Sequence, residues 1–257
     1  MPSSSYEKVE NFYSEQVPRR IKMFINGDKR VERAWDTVER YAPLNPQNIL
    51  EVGCGIGYIS YRMSCTWPQA HVTGLDITPV YIETANKLFG SPKLDFVTGL
   101  LQNKSFELKF DLIVFMDVYE HIEAVQRLDV NRKLAELLED GGKIILTVPT
   151  PRHLDWLKEN MPHIIQPVDE NISLSVVEKL VEDTKTQLEL YKEVDVWRIG
   201  DYAHIVLKKS KTMIDVEKVP KESSDLFLGI KNLLERRKRD QKRKYVRDRL
   251  GYNIFSK

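Results

Sequence analysis

The chain has 257 residues, of which 42% are hydrophobic, enough for the core of one large domain with appendages. No apolar run approaches the ~20 residues that cross a bilayer, and Met1–Glu15 lacks a signal-peptide pattern. Two cysteines, Cys54 and Cys65, exclude a disulfide framework, so we expect an intracellular, cytoplasmic protein. The net charge of +1 conceals a basic end, because residues 220–257 hold twelve Lys and Arg against five Asp and Glu.

Residues 1–46 are expected to form an N-terminal helical lid. Segments 5–15 and 28–41 have helical patterns. Tyr6 or Tyr13 is suited to close over a bound cation, and one nearby arginine to pair with a carboxylate. The sequence does not choose among Arg19, Arg20, Arg30 and Arg33. An amphipathic helix packed on a sheet explains the segment equally well.

From residue 48 onward, short apolar runs alternate with helical patterns. The predicted strands are 48–53, 71–76, 94–98, 111–116 and 143–148, and the helices between them are 56–65, 79–89 and 123–138. Prolines mark residues 149–170 as irregular, a helix follows to about residue 185, and stretches 188–198 and 202–208 predict a hairpin. The order predicts a doubly wound, mostly parallel, seven-stranded α/β sheet that ends in an antiparallel hairpin.

The first strand leads into a glycine-rich turn, Glu51-Val52-Gly53-Cys54-Gly55-Ile56-Gly57, and the second strand ends in Asp76. Glycine adopts positive φ and has no Cβ, so a ligand can approach the backbone of such a turn closely. A carboxylate at the end of the next strand is suited to accept hydrogen bonds from ribose hydroxyls. The spacing predicts a site for a nucleoside-containing cofactor. Cys54 is expected to be a small strand-end residue of this site rather than a nucleophile.

The glycines run G-x-G-x-G, with Glu51 two residues ahead of the first, instead of the G-x-G-x-x-G of dinucleotide sites. This pattern resembles motif I of the class I S-adenosylmethionine-dependent methyltransferases, and the resemblance covers most of residues 48–150. It implies S-adenosylmethionine as cofactor, with Glu51 orienting the loop or receiving the amino group. The other implied cofactor contacts are Gly53, Gly55 and Gly57 beneath the ribose and methionine parts, Asp76 on the ribose and Ile77 on the adenine.

The family pattern is followed only in part after the third strand. Relatives often carry an acid there, but this chain has Leu100, so backbone groups around Leu100 and Leu101 are expected to meet the adenine. After the fourth strand, the run from Asp117 to His121 resembles the family's acid-x-x-Glu-His segment. It implies that Asp117, beside Val118, receives the methionine ammonium.

His121 is the candidate general base, because an imidazole titrates near neutral pH and can take a proton from a hydroxyl. The alternative is a histidine that only hydrogen-bonds and shapes the site. Glu120 and His121 are expected to face different directions and not to act as a pair. Methyl transfer from a sulfonium needs no metal, and no residues have convincing metal-ligand spacing.

Residues 149–187 are expected to form a substrate-side insertion that walls the acceptor site. Their mixture of aromatic, imidazole and carboxylate side chains suits a hydroxylated acceptor such as a sugar. The alternative for the two histidines is exposure in a loop. The candidate substrate residues are Tyr13, His153, Trp156 and His163.

The predicted domains are the lid at 1–46, the cofactor-binding domain at 47–210 and a basic extension at 211–257, expected to contain a helix. A solvated helix is favoured for the extension, because aromatic platforms for bases are few. The sequence therefore predicts an S-adenosylmethionine-dependent methyltransferase that acts on oxygen of a small molecule or saccharide. The alternatives are an RNA-modifying or membrane-associated methyltransferase that uses residues 231–249, and a catalytically silent cofactor-binding module that regulates a partner.

Overall fold

A computed structural model describes residues 16–210 of the chain. Its seven helices are α1 Val17–Asn26, α2 Lys29–Tyr41, α3 Tyr58–Thr66, α4 Pro79–Phe89, α5 Ala124–Leu137, α6 Pro151–Asn160 and α7 Leu174–Thr184. Its seven strands are β1 Asn48–Val52, β2 His71–Asp76, β3 Leu94–Thr98, β4 Phe110–Met116, β5 Leu138–Pro149, β6 Gln187–Val194 and β7 Tyr202–Lys208. The predicted helix at 5–15 and the basic extension at 211–257 lie outside the described residues.

The strands form one sheet in the order β3-β2-β1-β4-β5-β7-β6. The first five strands pair in parallel, whereas β7 pairs antiparallel with both β5 and β6. The predicted seven-stranded sheet with a terminal hairpin is therefore confirmed. The strand order reverses between β1 and β4, which is the place where open α/β sheets bind ligands.

Both faces of the sheet are buried, as expected for central parallel strands. Successive β1 residues point to opposite faces: Leu50 packs with α5 and α7, and Ile49 packs with α2, α3 and α4. Helix α2 begins at the capping residue Asp28, whose carboxylate accepts hydrogen bonds from two amides of the first turn. Trp35 and Val38 then bury the predicted apolar face of α2 against the sheet.

The sequence-based boundaries were wrong in four places. Strand β5 begins at Leu138, five residues before the predicted start at 143. Helix α6 occupies part of the region expected to be irregular, because Pro151 lies in its first turn, where proline's missing N–H costs nothing, and Thr150 caps it. Helix α1 was not predicted. Strand β6 ends at Val194, because the carboxylate of Asp201 accepts hydrogen bonds from three amides at 196–198 and folds them into a loop.

Within residues 16–210, none of the helices combines the length and apolar character needed to cross a membrane. The same part of the chain contains no group of His, Cys, Asp and Glu side chains arranged to hold a metal ion.

Candidate functional site

A cavity lies at the carboxyl ends of β1, β2 and β4. Its floor is formed by the glycine turn, the end of β2 and the segments after β3 and β4, while α1 and α2 cover it on one side. Helix α1 contributes Arg20, Met23 and Phe24. The ring of Phe24 packs edge-on against Tyr58 and Phe89, at centroid distances of 5.1 Å each. Helix α1 therefore borders the cavity and α2 packs on the sheet, while the role of residues 1–46 as a lid stays a prediction.

The three motif glycines have positive φ, but only two line the cavity. A Cβ on Gly53 would lie 2.3 Å from a Val118 methyl group, so this glycine lets the turn pass against the segment after β4. A Cβ on Gly55 would meet no atom within 4 Å, so Gly55 leaves open space above the backbone. Gly57 lies outside the cavity lining, and a Cβ there would collide with Phe96.

Asp76 faces the cavity from the end of β2 and is held by backbone amides. Its two oxygens accept hydrogen bonds from Gly55 N–H at 2.8 Å and Thr78 N–H at 2.9 Å. Burial raises the pKa of Asp76, while these amides oppose the rise. Each oxygen keeps a second lone pair for a ribose hydroxyl. Ile77, Leu100 and Leu101 line the same end of the cavity.

Glu51 and Cys54 are buried beneath the turn. The hydroxyl of Ser60, in α3, donates a hydrogen bond to Glu51, and burial raises the pKa of Glu51 to about 8. This contact ties β1 to α3 and corresponds to the loop-orienting role that the sequence left open. Burial also raises the pKa of the Cys54 thiol, so the residue is a neutral, small side chain at neutral pH.

The opposite end of the cavity contains an ion pair between α2 and the residue that follows β4. Arg30 Nη1 lies 2.6 Å from Asp117 Oδ2, and the hydroxyl of Thr147 donates to Asp117 Oδ1 at 3.1 Å. Burial opposes the charge of Arg30, but Asp117 and the hydrogen-bonded Tyr202 more than compensate and raise its pKa. Asp117 has a φ of 57°, an unusual conformation for a non-glycine residue, and so points its side chain back toward α2.

Two of the four candidate arginines line the cavity and two do not. Arg20 lines the end of the cavity that contains Asp76, and Arg30 lines the end that contains Asp117. Arg19 is exposed, and Arg33 is half-exposed beside Asp36. Arg30 Nε is buried and has no hydrogen-bond partner within residues 16–210. This orphan donor and the open space at Gly55 fit a ligand that has a carboxylate at one end and a nucleoside at the other.

His121 also lines the cavity, but both of its ring nitrogens face acceptors. Nδ1 lies 2.8 Å from the carbonyl oxygen of Val168 and 3.0 Å from Asp169 Oδ1, and Nε2 lies 3.9 Å from Glu120 Oε1. The expectation that Glu120 and His121 face apart is therefore wrong, because the short 3₁₀ turn Tyr119–His121 brings them together. Burial opposes the imidazolium, but Glu120 and Asp169 outweigh it and raise the pKa of His121 to about 9.

The expected substrate residues lie away from the cavity lining. His153 is buried between the rings of Trp156 and Tyr202, and the guanidinium of Arg198 lies 3.7 Å above the Trp156 ring. His163 is exposed. Tyr13 falls outside the described residues. The insertion instead reaches the cavity through Gln166 and Val168. The run from Gln166 to Glu170 resembles segments of other methyltransferases, but neither residue was predicted to belong to the site.

The comparisons with known proteins agree with this geometry. Residues 49–142 match a family described as "Methyltransferase domain". The malonyl-[acyl-carrier protein] O-methyltransferase 1 of Ilyobacter polytropus is 31% identical over 141 residues, which are 54% of this chain and 45% of that protein. The trans-aconitate 2-methyltransferase of Rhodopseudomonas palustris is 28% identical over 132 residues, covering 50% and 48%. The chain thus spans less than half the length of either relative.

Among solved structures, the magnesium protoporphyrin IX methyltransferase of Synechocystis, with S-adenosylhomocysteine bound, superposes with a TM-score of 0.61. The match covers 80% of this chain and 100% of that one at 17% identity. At this level of identity the comparison supports a common fold.

Proposed function

This chain belongs to the class I S-adenosylmethionine-dependent methyltransferases, and from that premise we propose that it methylates a carboxylate oxygen of a small-molecule acceptor. The cavity lining offers a group for each part of the cofactor: Asp76 would accept hydrogen bonds from the ribose, Ile77 and Leu100 would flank the adenine, and Asp117 with Arg30 would hold the methionine end. When bound, S-adenosylmethionine supplies an electrophilic methyl group on a sulfonium. The remaining wall, formed by His121, Gln166 and Val168, is left for the acceptor.

The observation that carries the proposal is the state of the acid–base groups around the cavity. Each carboxylate or imidazole of the lining already has a partner within residues 16–210: Asp28 with helix amides, Glu51 with Ser60, Asp76 with two amides, Asp117 with Arg30, His121 with Val168 and Asp169, and Glu123 with Gln126. A hydroxyl acceptor has to lose its proton, and a base of this lining would have to exchange one of these contacts for the acceptor in order to take it. A carboxylate is already ionised at neutral pH and needs none.

Transfer of a methyl group to an ionised carboxylate oxygen requires no proton transfer. A lone pair of the carboxylate oxygen forms the new bond to the methyl carbon, and the electron pair of the breaking carbon–sulfur bond returns to sulfur. The anion and the sulfonium become a neutral ester and a neutral thioether. The chain's contribution is to align the two reactants, and orientation alone can supply about 7–11 kcal/mol of such a barrier.

Two relatives support an acid acceptor, because malonyl groups and trans-aconitate both carry carboxylates. A saccharide hydroxyl, favoured from sequence, is the weaker candidate, because His153, Trp156 and His163 do not line the cavity. The RNA and membrane alternatives rest on residues 231–249, which lie outside the described residues.

The proposal is tested with methyl-labelled S-adenosylmethionine and paired acceptors. The panel contains a malonyl thioester, trans-aconitate, glucuronate and its carboxylate-free counterpart glucose, with bulk tRNA and anionic vesicles as further arms. Mild alkali releases labelled methanol from a methyl ester but not from a methyl ether. We expect alkali-labile label on carboxylates and none on glucose. Alkali-stable label on glucose, or label on tRNA alone, would replace the carboxylate with the corresponding alternative.

A further inference from the structure

Residues 166–170, here called the acceptor wall, are attached to the segment 119–127 through Glu170. The Glu170 N–H donates to the carbonyl oxygen of Glu120 at 3.0 Å. The Glu170 carboxylate accepts from the N–H of Ala124 at 3.1 Å and from Arg127 Nη2 at 2.8 Å. Within the wall, the Gln166 N–H donates to Asp169 Oδ2 at 2.7 Å. The position of Gln166 and Val168 in the cavity therefore depends on these attachments.

The ring of His121 connects the segment 119–127 to the acceptor wall, because its Nδ1 contacts the carbonyl oxygen of Val168, 47 positions along the chain. A carbonyl oxygen and a carboxylate oxygen both face Nδ1, so Nδ1 must carry a hydrogen. Nε2 faces the Glu120 carboxylate, which is also an acceptor. The contact of Nε2 with Glu120, at 3.9 Å, is an ion-pair distance and not a hydrogen bond. Because carboxylates face both nitrogens, the imidazolium is the form of His121 that they stabilise.

The surroundings of His121 depend on its charge. Glu120 is buried, and its Oε2 has no hydrogen-bond partner in the described part of the chain. The charged groups that act on His121 and Glu120 are Asp169 from the wall and Asp117 from the end of β4, with Arg30 of α2 behind Asp117. A neutral His121 would leave the carboxylates of Glu120 and Asp169 without the cation that faces them, and their repulsion would be relieved by release of the wall or by protonation of Glu120.

We propose that His121 is a positioning residue, whose imidazolium latches the acceptor wall to the segment 119–127 and thereby sets the affinity for the acceptor. The kinetic part of this inference rests on the proposed methylation of a carboxylate, but the latch itself does not. Because the pKa of His121 is raised from 6.5 to about 9, the latch is complete below pH 6.5 and is lost as the pH rises through about 9.

Hydrogen–deuterium exchange tests the latch without any turnover. The full-length wild type and two latch variants, His121→Asn and Asp169→Asn, are compared, each saturated with S-adenosylhomocysteine. The control variant is His71→Asn, because the half-exposed ring of His71 pairs with Asp95 at the far edge of the sheet. Loss of one charge-assisted hydrogen bond predicts roughly tenfold faster exchange in residues 166–170 for both latch variants. The control is expected to exchange like the wild type. Unchanged exchange in both latch variants, with the rest of the fold protected, would overturn the latch.

Kinetics on the malonyl thioester or trans-aconitate then separates positioning from base catalysis. A latch predicts about a tenfold higher acceptor KM in His121→Asn, with little change in kcat, and wild-type activity that declines as the pH rises through about 9. A general base predicts a collapse of kcat and activity that increases through the same pH range, and that result would overturn the positioning role. If neither acid is methylated while residues 166–170 still open in the variants, the proposed function fails and the latch stands.

Discussion

The ion pair between Arg30 and Asp117 is expected to hold α2 against the end of β4, and substitution of Arg30 tests this role. The two side chains are 22% and 8% exposed, and their charged atoms lie 2.6 Å apart. Arg30→Met keeps the apolar stem but leaves a buried carboxylate whose remaining side-chain hydrogen bond is from Thr147. Removing one partner of a buried pair costs about 3–5 kcal/mol. The partial exposure of Arg30 places the expected loss of unfolding free energy at the lower end, about 3 kcal/mol.

The assay is urea and thermal unfolding of the full chain at neutral pH. A loss of that size lowers Tm by about 6–12 °C in a domain of about 200 residues. Arg33→Met is the matched control on the same helix, because its guanidinium is 50% exposed and lies 3.9 Å from Asp36. That control is expected to change stability by less than ~0.5 kcal/mol. Adding Asp117→Asn to Arg30→Met should recover much of the loss. An Arg30→Met variant as stable as wild type would refute the reasoning.

Three further outcomes are expected. Asp76→Ala should weaken S-adenosylhomocysteine binding by roughly 1.5–3 kcal/mol in calorimetry, since a charged hydrogen-bond acceptor is lost, whereas exposed Asp95→Ala should not. Gly53→Ala should abolish cofactor binding, because the added Cβ would lie 2.3 Å from Val118 at a φ of 74°; retained affinity in a folded variant would contradict this geometry. Burial lowers the pKa of His204 to about 4. Between pH 6.5 and 4 the unfolded state therefore binds more protons than the folded state, so the free energy of unfolding of the wild type should decline by about 3 kcal/mol as the pH falls through that range. His204→Gln should lack this decline, and an equal decline in both proteins would exclude His204 as its source.

The cofactor half of the site was predictable because its signals are local. The glycine turn and Asp76 follow two consecutive strands of the sheet, so their spacing along the chain fixes their proximity in space. The positive φ values at Gly53, Gly55 and Gly57 explain why the motif needs glycine. Leu100 and Leu101 both line the cavity, and their contact with the adenine stays a prediction.

The acceptor half was not predictable, because its contacts join distant segments. The sequence contained four arginines near the lid, and only the packing of α2 against the end of β4 shows that Arg30 meets Asp117. His121 was interpreted as a possible base from its chemistry alone, whereas its state depends on Asp169 in the insertion. Helix α1 contains no fully buried residue, but its sequence is amphipathic, so its helical pattern could have been recognised.

The central claim, a cavity built for S-adenosylmethionine, is tested most directly by ligand-dependent thermal unfolding of the full chain. S-adenosylhomocysteine at 100 times its dissociation constant should stabilise the protein by about 2.7 kcal/mol, which raises Tm by about 5–11 °C for a domain of this size. NAD at the same concentration should leave Tm unchanged, because the G-x-G-x-G turn and Asp76 frame a single nucleoside. A shift with NAD and none with S-adenosylhomocysteine would contradict the account.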